Sequence, residues 1–560
     1  MEKSQVHNEE SVPAQLQVLS GRQRVRKACL ECRRRKRKCD DLTPCRMCAQ
    51  YGYDCIRDDD SAASETLKMR APDVVLEGGQ PSQPIRISET PESIVNQTPV
   101  PSLDRGIIEP ARRRYMSQNS AVAFPNQLGM ELESANPPRL HSFAWNCGIR
   151  DEEPGSIHAP LSQYVNLEGC QHYANIYFAT VNKAFHLFDS QHFLQMCDTY
   201  FHRRNEDLIL GATIGGVIAL GSLFAFNEGH PLESQIVKHV KDVLEDSTFS
   251  RLPSIDQINA WILRTLYLRA TTRPHLTWLS SCTVMHLVEA VGLHRDLESD
   301  LVTQSGQVRA KEDEGGKRTF WLAWCINTII SYEYGRTRVH INGIDPRATP
   351  FDNHSETGLQ IRMARILPSE NTNADIMALS KSLETAIQQL LDLGDISGFP
   401  ALTRGDLCFC LYRRLRLLKV AISKETLANI IQIGHTAVEV AIQLANREAP
   451  WWNVLGTPFQ FFCVLLAIDT RAALTKVSWV VPKLERIATI LGTHMAREAV
   501  ETAHVLLSDA WAKKRQEIAL LEMSEGNVLP LLNNREPTPD WDAMLNPFYA
   551  GDFNVKDFGI

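Results

Sequence analysis

The chain has 560 residues, with 59 Lys and Arg against 66 Asp and Glu, a formal net charge of −7. That length exceeds one ordinary domain, and 44% hydrophobic with 22% charged residues excludes a collagen-like or wholly disordered chain. A net negative charge also excludes a protein that coats nucleic acid with its whole surface. Residues 1–20 are polar and read as disordered. Met1 to Gln5 carries no apolar run, so no secretory leader is expected.

Residues 21–57 change character. They hold twelve Lys and Arg against four Asp and Glu, a local charge of +8, which leaves −15 on the remainder. Six of the 14 cysteines fall here, as Cys29-x2-Cys32-x6-Cys39-x5-Cys45-x2-Cys48-x6-Cys55. This is one C-x2-C-x6-C pattern written twice. A secreted disulfide framework does not fit a chain without an export signal, and a CxxC redox pair accounts for two cysteines rather than six. Zinc takes four tetrahedral ligands and suits thiolate sulfur. Six thiolates exceed one zinc and fall short of two separate four-thiolate sites, so two zincs must share two sulfurs.

Between Cys32 and Cys39 lies Arg33-Arg34-Arg35-Lys36-Arg37-Lys38. Six consecutive cations held by metal on a short helix suit DNA. Phosphate neutralisation supplies affinity, and one or two residues reaching base edges supply specificity. A nuclear import signal can overlap the same run.

The cysteine spacing, with Pro44 before the fourth cysteine, resembles the fungal Zn(2)-Cys(6) binuclear cluster transcription factors. The resemblance implies two zinc ions per chain, with Cys29 and Cys45 bridging them. Cys32 and Cys39 then complete one site, and Cys48 and Cys55 the other. It further implies that Lys36, beside Arg35, reads a CGG triplet of double-stranded DNA in the major groove, while Arg33 and Lys38 hold phosphates. Two zincs and six thiolates together leave the module at about +6. After Cys55 the sequence lacks the apolar heptads of a coiled coil. Monomeric binding and a homodimer formed through the large domain both remain open.

Residues 58–160 read as a Pro-rich disordered linker. Ten prolines fall between 71 and 140 and argue against long helices and central strands. Arg112-Arg113-Arg114 reads as a solvated or import-related patch.

From 165 to 530 apolar residues recur at spacings of three and four, the pattern of an all-α domain. Leu208 to Phe226 is 19 residues without a charge, near membrane-spanning length, but its glycines suit a buried core helix better, and no membrane partner is expected. A helix is expected from near Leu276 to Val291, stopped by Gly292. Another runs through Trp321, Trp324, Cys325, Thr328, Ile329 and Tyr332 and is stopped by Gly335. His172-Tyr173 through Phe193, Trp278 through Asp296, Lys317 through Trp321, and Tyr334-Gly335-Arg336 resemble the fungal transcription factor regulatory (middle homology) domain, with Thr337 in place of its usual proline. No HExxH, P-loop, GxGxxG or GxSxG motif is present, and no catalytic residue is assigned. His294-Arg295 reads as a helix C-terminal pair satisfying carbonyls. The eight cysteines outside the cluster read as small buried thiols.

Residues 531–560 interleave Trp541, Phe548, Tyr549, Phe553 and Phe558 with Glu536, Asp540, Asp542, Asp552 and Asp557. Acidic residues keep aromatics solvated until a partner offers a groove. The tail is therefore a candidate activation segment that contacts transcription machinery or coactivators, the bland alternative being a tail that docks on the helical body. The expected whole is a nuclear, zinc-dependent, sequence-specific activator of RNA polymerase II transcription controlling a metabolic or biosynthetic gene set. The competing reading is a ligand-binding helical receptor or an enzyme whose zinc module is only structural.

Overall fold

A computed structural model describes residues 28–34 and 39, parts of 106–156, and from 158 to 526 all but 203–206, 251–252, 296–309, 342–348 and 369–374. The polar N-terminus 1–20 and the tail 531–560 lie outside the described residues. The chain divides into two units, Met1–Asn96 and Gln97–Ile560. In the first, one short helix, α1 (Leu30–Arg34), is described.

The second unit opens with the only sheet among the described residues. Strands β1 (Gly106–Glu109) and β2 (Arg114–Ser117) pair antiparallel, with Ile108 opposite Tyr115. Helix α2 (Phe124–Glu131) follows, with Pro125 in its first turn. The Pro-rich segment is thus not irregular throughout. Ile107, Ile108 and Tyr115 have the β-branched and aromatic side chains that favour strands, the prolines fall outside both strands, and a proline at a helix start gives up no hydrogen bond. Arg114, expected in a solvated patch, opens β2.

Among the described residues the remainder is all-helical. The first group comprises α3 (Leu167–Ala179), α4 (Val181–Ala184), α5 (Ser190–His202), α6 (Leu208–Phe224), α7 (Glu233–Glu245), α8 (Ser247–Ser250), α9 (Ile255–Thr271), α10 (Pro274–Val291) and α11 (Ala310–Tyr334). The second comprises α12 (Glu356–Ile366), α13 (Ile376–Leu391), α14 (Phe399–Leu417), α15 (Lys424–Asn446), α16 (Asn453–Ile468), α17 (Arg471–Leu491) and α18 (His494–Gly526). Capping residues set many of the starts. Asn166, Asp207, Ser254, Ser355, Ser423 and Thr470 each accept a hydrogen bond from a backbone N–H in the first turn, worth about 1 kcal/mol apiece.

Helix α6 is the centre of the first group. It packs on α3, α7 and α9, and nearly its whole length is buried. This is the uncharged stretch that raised the membrane question. No helix of the described residues is long and apolar enough to cross a membrane. Full burial of each Ile, Val or Leu contributes about 1.5–3 kcal/mol, which suits α6 to a core. Gly221 permits the closest approach, because a Cβ there would strike the Tyr173 carbonyl of α3. The expected stops also hold. Gly292 and Gly335 sit at φ 79° and 59°, the left-handed cap that glycine takes without strain. Helix α11 starts at Ala310, well before its apolar stripe, in a turn of charged residues that carries no periodic signal.

Two apolar cores result. One is centred on α3, α5, α6, α9, α10 and α11, the other on α13 to α17. Where the groups meet, an ionic cluster is enclosed. Arg269 of α9 pairs with Glu333 of α11 at 2.9 Å, and its guanidinium lies over the rings of Tyr334 and Trp452. Asp406 of α14 accepts hydrogen bonds from Thr457 (2.6 Å) and Asn453 (3.2 Å). Burial, reinforced by the charge of Glu333, pushes its carboxyl up to about 7.

The sequence signals of the regulatory domain find structural roles here. The indole N–H of Trp278 donates to the Thr337 carbonyl at 3.0 Å, and Arg336 lies over the same ring. Position 337 contributes its backbone carbonyl, which proline also has, so the departure to Thr is structurally cheap. His294 and Arg295 are buried and both pack on Tyr115 of β2. That contact with the hairpin is not foreseen by reading them as a carbonyl-satisfying pair.

Candidate metal centre and nucleic-acid interface

Cys29 immediately precedes α1 and Cys32 lies on it. Three residues apart is one helical turn, so the two thiols share a face. The chain then returns Cys39 to the same place. The Sγ atoms of Cys29, Cys32 and Cys39 all lie within 4.8 Å of one another. Four sulfurs held tetrahedrally at about 2.3 Å from a zinc stand roughly 3.8 Å apart, so this grouping fits the metal. Backbone N–H groups support it: those of Cys29 and Cys32 donate to the sulfurs of Cys39 and Cys29, each at 3.5 Å. Cys29 and Cys32 are buried in a segment with almost no apolar side chains to bury them. Coordination, rather than a core, must then hold the segment together.

Arg33 follows Cys32 on α1 and is exposed. Its backbone N–H donates to the Cys29 carbonyl (2.9 Å) and its guanidinium to the Ala28 carbonyl (3.2 Å). The first of the six consecutive cations is therefore rigidly joined to the thiol site. The structure brings together Cys29, Cys32, Cys39 and Arg33. Cys45, Cys48, Cys55, Arg35, Lys36 and Lys38 lie outside the described residues.

The other cysteines show the contrast. Cys170, Cys197, Cys325, Cys408 and Cys410 are buried and Cys282 and Cys463 half-buried, while Cys147 lies outside the described residues. Burial pushes the Cys408 and Cys410 thiols up, the latter to about 12, so neither is a ready thiolate. Apart from His294 and Arg295, the sequence assigns the polar residues of the helical body no role. It misses the Arg269–Glu333–Asp406 cluster, whose one signal is an acidic residue, Asp406, immediately before the apolar run Leu407 to Tyr412.

Residues 27–64 match the fungal Zn(2)-Cys(6) binuclear cluster domain, and residues 174–347 match the fungal specific transcription factor domain. Similarity to known proteins extends over nearly the whole chain. Protein RDR1 of Saccharomyces cerevisiae is 42% identical across 94% of this chain and 96% of its own length. Transcription factor kojR of Aspergillus oryzae is 33% identical across 92% of this chain and 89% of its own. A Gibberella zeae protein also called RDR1 is 28% identical across 93% of each. The chain thus carries a module whose cysteines bind two zinc ions and which contacts DNA, followed by a helical fungal specific transcription factor domain, and it belongs to the fungal Zn(2)-Cys(6) transcription factors, a family of DNA-binding regulators rather than enzymes.

Proposed function

We propose that this protein is a nuclear activator of RNA polymerase II transcription that recognises CGG half-sites. The observation that carries the reading is the joining of Arg33, first of six consecutive cations, to the turn that gathers Cys29, Cys32 and Cys39. A cation run fixed to a metal site presents its charges in one geometry, which sequence recognition requires and a solvated run lacks. In this reading Cys29 and Cys45 bridge two zinc ions, Cys32 and Cys39 complete one site, and Cys48 and Cys55 the other. Lys36 and Arg35 reach guanine O6 and N7, while Arg33 and Lys38 hold phosphates. Residues 21–57 read DNA, 58–160 connect, 165–530 regulate, and 531–560 recruit transcription machinery.

The activator assignment is supported by the alternation of aromatic and acidic residues in 531–560. A reporter carrying CGG sites tests the whole reading in a fungal host. Expression should rise with the full chain, stay at background with Lys36→Ala, and fall on removal of 531–560. Expression that falls when the full chain is introduced would instead make it a repressor.

A further inference from the structure

The basic run Arg112-Arg113-Arg114 has no part in the DNA-binding reading. It leads directly into β2, whose last residue is Ser117. Ser117 is the one serine or threonine of the chain with arginine at three, four and five positions before it. Protein kinases select substrates by charge. A groove lined with carboxylates takes guanidinium groups at fixed offsets from the acceptor hydroxyl and holds the segment extended. The backbone of β2 already has that extended form, with Arg114 opposite Glu109 and Ser117 opposite Gly106 at the end of the ladder. Two strands of four residues make a marginal sheet by themselves, so the hairpin opens readily once it leaves the helical body. Tyr115 fastens it there, just past the end of α10. Its ring meets the His294 ring edge-on at 4.8 Å and 84°, and the Arg295 guanidinium lies over it at 5.4 Å.

We propose that Ser117 is a phosphorylation site for an arginine-directed serine/threonine kinase, and that its phosphate locks the hairpin onto the helical body through Arg295. The kinase takes the open hairpin. The Ser117 hydroxyl oxygen bonds to the γ-phosphorus of ATP as the bond to the β,γ-bridging oxygen breaks. ADP leaves, and the hydroxyl proton passes to a carboxylate base of the kinase. The new group brings a charge of about −1.5 to −2 and three strong acceptor oxygens. Strand residues two apart share a face, so positions 115 and 117 lie on the side of β2 that meets Arg295. When the hairpin closes, the phosphate pairs with the Arg295 guanidinium. A charge-assisted, bidentate pair of this kind is stronger than the ring contact it joins. A strap held by one aromatic side chain thus becomes one held by an ion pair. This inference is independent of the DNA-binding reading, and its failure leaves that reading untouched.

The probe is a purified kinase that selects arginine three and five residues before serine, applied with magnesium and ATP to the zinc-loaded full chain. Mass spectrometry should find phosphate on Ser117, and Arg114→Ala should slow the transfer by about tenfold or more with the helical circular dichroism unchanged. Amide hydrogen exchange over residues 106–117 should then slow by about threefold or more in the phosphorylated chain. Arg295→Gln should remove that slowing. If Arg295→Gln does not fold, the comparison of phosphorylated with unphosphorylated wild-type chains decides. No phosphate on Ser117, transfer indifferent to Arg114, exchange unchanged or faster after phosphorylation, or slowing that survives in a folded Arg295→Gln chain overturns the proposal.

Discussion

The backbone N–H of Cys29 donates to the sulfur of Cys39, ten residues further along the chain, at 3.5 Å. A loop of that length without an apolar anchor closes only if something draws its ends together, and the loop here contains six consecutive cations that repel each other. Zinc coordination by thiolates supplies the closure and offsets part of the repulsion with sulfur charge.

Metal removal should therefore separate the two units. Chelation of zinc should abolish DNA binding while most of the helical circular dichroism remains, because the helical body has its own buried cores. Cys29→Ala should lower the zinc content below two ions per chain, measured by metal release on thiol titration. A Cys29→Ala protein that retains two zincs at wild-type affinity would contradict the bridging role.

Lys36 and Arg33 should separate by the kind of loss. Lys36→Ala should weaken CGG duplex binding by about 1–3 kcal/mol with zinc content unchanged. Arg33→Ala should weaken binding to all duplexes alike and reduce the salt dependence by about one phosphate contact. Fluorescence anisotropy against salt concentration measures both. An Arg33 variant selective for one sequence would reverse the assignment.

Close packing of α6 gives a stability test far from DNA. Gly221→Ala places a methyl against the Tyr173 carbonyl, which as backbone cannot rotate away. The substitution should cost about 1–3 kcal/mol, read from the denaturant midpoint. An unchanged midpoint would show that α3 and α6 do not approach so closely.

The elements legible in the sequence are those whose cause is local. The cysteine spacing places the metal site, and Gly292 and Gly335 end their helices where a left-handed residue is needed. The uncharged run from Leu208 identifies α6, and Asp207 caps it. What escaped depends on partners distant in sequence. The strands around Ile108 and Tyr115 are four residues each, too short to stand out among prolines, and Tyr115 gains its place from His294 and Arg295 some 180 residues away. Gln360 and Asp406 look like ordinary polar helix residues until neighbouring helices close over them. The polar first turns of α11 carry no period at all.

Asp406 should make stability depend on pH. Its carboxyl is raised to about 7 in the folded chain, against an ordinary value near 4 when unfolded. Between those values the native state holds a proton that the unfolded state has lost, so stability falls as pH rises from about 4 to 7, and the deficit is complete above 7. Asp406→Asn should flatten that fall in denaturation midpoints taken across the range. Parallel curves for the two proteins would show that Asp406 is ionised throughout.

The reading of this chain as a CGG-specific regulator is tested most directly by titrating the purified, zinc-loaded full chain on a CGG-containing duplex and on the same duplex with the triplet scrambled. At one near-physiological salt concentration the CGG duplex should bind at least a hundredfold more tightly, and Lys36→Ala should erase most of that ratio while keeping its zinc. Equal affinity for the two duplexes by a chain that holds two zincs would contradict the account.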